Sequence, residues 1–126
     1  MTMIFDAGAL IALERGDASM WRRFEQARRR GDVPSTHGGV VGQVWRRGGP
    51  RQALLARALA WVHVRALDDA LGRRAGALLV DARTSDVIDA AVVLLANDDD
   101  VIVTSDPEDL GPLVEALGRE IELIVV

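Results

Sequence analysis

Short apolar runs alternate along this chain with longer stretches whose apolar positions recur at helical spacing. Residues 2–5 read as a buried strand, followed by a helix from about Ala7 to Glu14. Gly16-Asp17 interrupts the pattern, and Asp17 is placed to cap a second helix, about Ala18 to Arg30. On that helix Met20, Phe24 and Ala27 share one face, while Arg22, Arg23, Arg29 and Arg30 spread over the rest. After Gly31-Asp32, residues 33–36 form an extended piece, with Ser35 or Thr36 placed to cap the next helix. Val40, Val41, Val44 and Trp45 predict that third helix, stopped at Gly48-Gly49-Pro50. A fourth helix runs from Arg51 to Trp61, a strand covers Val62-His63-Val64, and Asp68-Asp69 opens a helix from Ala70 to about Val80. The rest reads as a helix from Ser85 to about Ala96, a strand over 101–104, a helix from Pro107 to about Leu117, and a last strand from Ile121 to Val125. This alternation predicts a three-layer α/β/α sandwich with a mostly parallel central sheet, in a single domain over residues 1–126.

Length and composition support one globular core: 126 residues, 49% of them hydrophobic. No apolar run reaches the roughly 18 residues that would span a membrane. Residues 1–6 lack the basic region and long apolar stretch of a secretory signal. Cys is absent, which removes disulfides and thiolate metal sites and makes the cytoplasm the expected compartment.

The net charge of −4 argues against plain non-specific nucleic-acid binding, but the distribution of charge is uneven. Every basic residue is Arg, and ten of the 15 lie between Arg15 and Arg57. Nine of the 19 acids lie between Asp81 and Asp109. An acidic pocket with an Arg-rich rim has this pattern, because guanidinium forks onto phosphate. Arg clusters that simply solvate helix faces have it too. The absence of Lys excludes a phosphate loop of the Walker type. It also disfavours aspartate-nucleophile phosphatases and receiver domains, which use a Lys as phosphate counter-charge. No Gly-x-Ser-x-Gly elbow is present.

Candidate chemistry lies in acids at element boundaries. Asp6 ends the run Met3-Ile4-Phe5, Asp86 opens a helix, and Asp106 follows Val101-Ile102-Val103-Thr104. In open parallel sheets, ligands bind outside the carboxyl ends of the strands. Carboxylates gathered there repel one another unless protons or a cation neutralise them. Mg²⁺ or Mn²⁺ is the simplest such cation, so the chain reads as a metal-dependent enzyme acting on phosphate. Asp86 and Asp89 share a helix face, as do Asp106 and Asp109. Capping explains Asp6, Asp86, Asp106 and Asp109 one at a time. It explains Asp89 less well, because Asp89 sits one turn in among Ile88, Ala90, Ala91 and Val92. Thr104 and Ser105 have two readings, hydrogen bonding to a phosphate or metal water and ordinary capping. His37 and His63 read as structural.

Three segments together carry a family resemblance. Ile4-Phe5-Asp6-Ala7-Gly8-Ala9-Leu10-Ile11-Ala12-Leu13, Thr84-Ser85-Asp86-Val87-Ile88-Asp89-Ala90 and Val103-Thr104-Ser105-Asp106-Pro107-Glu108-Asp109-Leu110 resemble, in order and separation, the acidic motifs of PIN-domain ribonucleases. Within that group the chain is similar to the VapC toxins of toxin–antitoxin pairs, over essentially its whole length. The resemblance implies a PIN-like fold and an endoribonuclease that hydrolyses RNA with metal-activated water, leaving a 5′-phosphate and a 3′-hydroxyl. It implies Mg²⁺ or Mn²⁺ held by Asp6, Asp86 and Asp106, with Asp89, Asp109 or Gln43 contributing through water. It also implies a homodimer and a small VapB-like antitoxin seated in the active-site groove.

The sequence departs from the family pattern twice. Gln43 stands where the family usually has Glu, and Gly8 where Ser or Thr is frequent. Gln offers a neutral carbonyl oxygen but no charge, which should weaken metal binding; Asp89 is the candidate replacement carboxylate. The alternative is therefore a catalytically weakened PIN-fold module that binds RNA or a partner. Arg22, Arg23, Arg28, Arg29, Arg30, Arg46, Arg47 and Arg51 are candidate contacts to RNA phosphates. Aromatic content of 4% makes an extended base-stacking platform unexpected. Trp21, Trp45 and Trp61 are candidate interface anchors, with core packing the better reading for Trp61.

Overall fold

A computed structural model describes all of residues 1–126. Its sheet has five strands, all parallel: β1 (Met3–Phe5), β2 (Ser35–His37), β3 (His63–Arg65), β4 (Val101–Thr104) and β5 (Glu122–Val125). Their spatial order is β3-β2-β1-β4-β5. β1 and β4 are buried throughout, as expected of central strands covered on both faces.

The helices are α1 (Ala7–Glu14), α2 (Ala18–Arg30), α3 (Gly38–Val44), α4 (Ala53–Leu59), α5 (Asp69–Ala82), α6 (Val87–Leu95) and α7 (Pro107–Leu117). α1 packs against α2, α3 and α4 in one layer; α5, α6 and α7 pack on one another in the other. The result is a three-layer α/β/α sandwich of the PIN-like kind. Its core joins 28 buried apolar residues, including Phe5, Leu10, Phe24, Ile102 and Leu110.

The chain leaves β1 toward β2 and β3, then returns through α5 and α6 to β4 on the other side of β1. β1 and β4 thus flank the point where the strand order reverses, and a crevice opens there at the carboxyl ends of parallel strands.

Most local expectations agree with the structure, and three differ away from the acidic residues. The fourth helix is shorter than Arg51 to Trp61: a single 3₁₀ turn, Pro50–Gln52, precedes α4, which stops at Leu59. Neither Ser35 nor Thr36 caps α3. Both belong to β2, where the Thr36 hydroxyl donates to the Phe5 carbonyl at 2.7 Å. His37 caps α3 instead, its Nδ1 accepting from the Gly39 amide at 3.1 Å. Trp61 is not in the core. It is 52% exposed, with the Arg28 guanidinium stacked on its ring at 3.8 Å. Trp21 is the packed tryptophan, edge-on to Phe24 and donating to the Leu13 carbonyl at 2.9 Å.

Candidate functional site

Five carboxylates and Gln43 line one cleft of about 300 Å³ at the β1–β4 crevice: Asp6, Asp86, Asp89, Asp106 and Asp109. Three come from places where a strand or loop turns into a helix. Asp6 follows β1 and caps α1, accepting from the Ala9 amide at 3.2 Å. Asp86 caps α6 through the Asp89 amide at 3.0 Å. Asp106 precedes α7, but its carboxylate makes no capping bond, so the cap expected of it is absent. The Asp106 amide instead donates to the Thr104 hydroxyl oxygen at 2.8 Å. That hydroxyl in turn donates to the Asp6 carboxylate, so Thr104 ties the end of β4 to the end of β1. The capping expected of Asp109 is not seen either: it lies exposed in the first turn of α7, with its carboxylate on the cleft.

Burial and repulsion act on these groups together. Burial pushes the Asp6 carboxyl above its ordinary value, Thr104 and Ala9 oppose that through hydrogen bonds, and the Asp106 charge adds to it. Asp89 is pushed up to about 6, first by burial and then by the charges of Asp86, Asp6, Asp109 and Asp106. The four other carboxylates therefore all act on this one position.

In the metal-free protein, Asp89 contributes stability fully below pH 3.8 and loses it as pH rises through about 6, because the folded state holds the proton longer than the unfolded chain. Asp89→Asn is expected to raise metal-free stability by about 1 kcal/mol at pH 8, after discounting for solvent screening, and to change it little at pH 4. Chemical denaturation at the two pH values measures this; an equal or opposite effect at both would remove Asp89 from the shared field.

His37 supports the acidic helix from beneath. It is buried, and its Nε2 lies 3.0 Å from the Ile88 carbonyl, between Asp86 and Asp89 in sequence. With Nδ1 accepting from Gly39, Nε2 carries the proton and the ring is neutral; burial lowers its pKa accordingly. His37 thus has a structural role, as expected. Exposed His63 lies on the edge strand β3.

The sequence placed Gln43 at the site, and the structure puts it exposed on the cleft wall. Ser105 also lines the cleft, set against Gly8. A β-carbon on Gly8 would lie 2.6 Å from Ser105 Cβ and 2.8 Å from its amide nitrogen, so Ser105 fills the space a side chain at position 8 would take. None of Arg22, Arg23, Arg29, Arg46 and Arg47 lines this cleft. Arg46 bends back onto its own helix end, donating to the carbonyls of Gly42, Trp45 and Gln43 at 2.7–3.1 Å.

No three carboxylates converge closely enough to form a ready-made ligand cluster. The donors are nevertheless all oxygen, and repulsion among them is relieved by positive charge. Mg²⁺ needs only one or two direct carboxylates and keeps several waters, so an open ring of carboxylates suits it.

The fold is a PIN-like α/β sandwich. Among solved structures, a chain of VapBC2 from Rickettsia felis, in a crystal structure bound to a DNA fragment from their promoter, superposes with a TM-score of 0.71. It shares 11% sequence identity over 98% of this chain and 98% of that one, a likeness of fold. No protein-family profile and no curated protein matches the chain. No helix is long and apolar enough to cross a membrane.

Proposed function

We propose that this protein is a Mg²⁺- or Mn²⁺-dependent endoribonuclease toxin, held in check by a VapB-like antitoxin and paired as a homodimer. The observation that carries the reading is the gathering of Asp6, Asp86, Asp89, Asp106 and Asp109 at the switch point of a PIN-like sheet. The fold likeness to a VapBC2 chain supports the toxin–antitoxin part. When bound, the cation supplies an activated water and neutralises charge on the phosphodiester.

The chain's own residues divide the work. Asp106, with no competing hydrogen bond, and Asp6, held by Ala9 and Thr104, offer oxygens from the two central strand ends. Asp86 and Asp89 offer theirs from α6, and Asp109 from α7. Thr104 positions Asp6 and the Asp106 backbone and contributes no charge. No His lines the cleft, so proton transfer at the phosphodiester would fall to these carboxylates.

Incubating purified protein with total cellular RNA is expected to give cleavage that requires Mg²⁺ or Mn²⁺ and stops with EDTA. RNA left intact at every metal concentration would sink the proposal. A second reading, a binding module that does not cut, is favoured by the neutral Gln43 and by the absence of a tight carboxylate cluster. Gln43→Glu separates the two. It is expected to tighten Mn²⁺ binding about tenfold by adding a charge at the cleft wall, and cleavage should rise at limiting metal. A variant that binds metal more tightly and still leaves RNA intact would favour the binding module.

A further inference from the structure

The acidic cleft continues beyond its carboxylates. Gly8, Ile11 and Ser105 also line a second depression of about 430 Å³ that reaches Arg15 and Asp17. Arg15 also borders a third depression, which holds Arg46 and Arg51 together with Glu14 and Gln52. The three depressions adjoin through these shared residues and together make a path that is acidic at one end and basic at the other.

The path follows a single helix face. Gly8 and Ile11 lie on α1 and Arg15 is its C-cap in helical conformation; Ile11 and Arg15 follow Gly8 by three and seven residues, so the three share one side, and Arg15 lies about 10 Å along the axis from Gly8. At the helical rise of about 3.4 Å per stacked nucleotide, roughly three nucleotides span that distance, and fewer where the strand is extended. The Arg15 and Arg51 side chains are exposed and have no carboxylate partner. The nearby acids are engaged elsewhere. Glu14 accepts from the Gln52 amide at 2.6 Å, and Asp17 caps α2 through the Met20 amide at 2.8 Å. Gln52 further holds the loop bearing Arg46 by accepting from the Arg46 and Gly48 amides at 2.9 Å each. The basic end is thus built on a pinned loop and the end of α1.

We infer that an RNA strand whose phosphate sits in the acidic cleft runs along α1 over Gly8 and Ser105, and that Arg15 and Arg51 hold its backbone two to three nucleotides away. This inference rests on the ribonuclease reading for its substrate, and it adds a phosphate-binding track that the Arg clusters of α2 do not supply. Such contacts fix position and salt dependence and leave sequence choice to other groups.

The test uses a short fluorescein-labelled RNA oligonucleotide and the full-length Asp106→Asn protein with Mg²⁺ present, read at times too short for this slow variant to cut. Adding Arg15→Gln or Arg51→Gln is expected to weaken binding about tenfold and to lower the salt slope by about 0.7 for each phosphate no longer held. Arg73→Gln, on the far layer and paired with Asp69, should leave binding unchanged. A DNA oligonucleotide and inorganic phosphate run in parallel, to separate an RNA track from a general anion site. In the cleaving protein, Arg15→Gln should raise KM about tenfold with little change in kcat. Equal RNA affinity and salt slope for Arg15→Gln, Arg51→Gln and the parent would overturn the inference, whatever the cleavage result. Arg15-dependent binding by a protein that cuts no RNA would keep the track and remove the ribonuclease.

Discussion

Asp106→Asn is expected to lower metal-dependent RNA cleavage by at least about a hundredfold while leaving the fold intact. The structure makes this substitution a clean probe. Asp106 is exposed, precedes α7, and uses its side chain in no capping bond. Its structural bond runs from the backbone amide to Thr104, which Asn preserves. Loss of its charge also lessens repulsion on Asp6 and Asp89. Metal-free melting temperature should therefore hold or rise slightly while activity collapses. Asp6→Asn cannot separate these effects, because Asp6 also caps α1 and pairs with Thr104. Initial cleavage rates and thermal melts on the same preparation check the point. Full activity in Asp106→Asn would place the chemistry elsewhere.

Gly8→Ala is expected to destabilise the protein by about 1–3 kcal/mol, the cost of forcing a methyl into a packed site. Helix propensity alone predicts the opposite sign, since Ala gains about 1 kcal/mol over Gly inside a helix. The structure decides for the clash. The new carbon would meet Ser105 Cβ at 2.6 Å and its backbone nitrogen at 2.8 Å, and a backbone atom yields less easily than a flexible side-chain end. The strain falls between Asp6 and Asp106, so cleavage should drop along with stability. Removing the obstructing side chain in a Gly8→Ala, Ser105→Gly double variant should recover part of the loss, a coupling expected of residues in contact. Denaturation midpoints for the single and double variants measure it. A stabilised Gly8→Ala protein would show that α1 and the β4 end are not locked together as described.

The acids of this site were legible in the chain because each carries a local signal. An apolar run followed by Asp predicts a strand end, as at Asp6, and Ser85-Asp86 predicts a helix start. The strand order that brings them together is not local, since β1 meets β4 across nearly a hundred residues of chain. It became predictable only through the family resemblance. Arg15 carries no sequence signal as a groove residue beyond its i+7 spacing from Gly8, because nothing in sequence says that this face of α1 borders a depression next to the cleft. The Arg residues of α2 drew attention by number, yet they lie off the cleft. Trp61 shows the same limit: its place just before a strand favours the core, whereas the structure leaves it exposed beneath Arg28.

The carboxylates around the β1–β4 crevice can act as proposed only if they hold a divalent cation. Titration of Mn²⁺ into the purified protein, followed by electron paramagnetic resonance of the free ion, tests this most directly. Saturable binding that Mg²⁺ displaces, and that weakens at least about tenfold in Asp106→Asn, is the predicted result. Binding that is absent, or equally tight in Asp106→Asn, would contradict it.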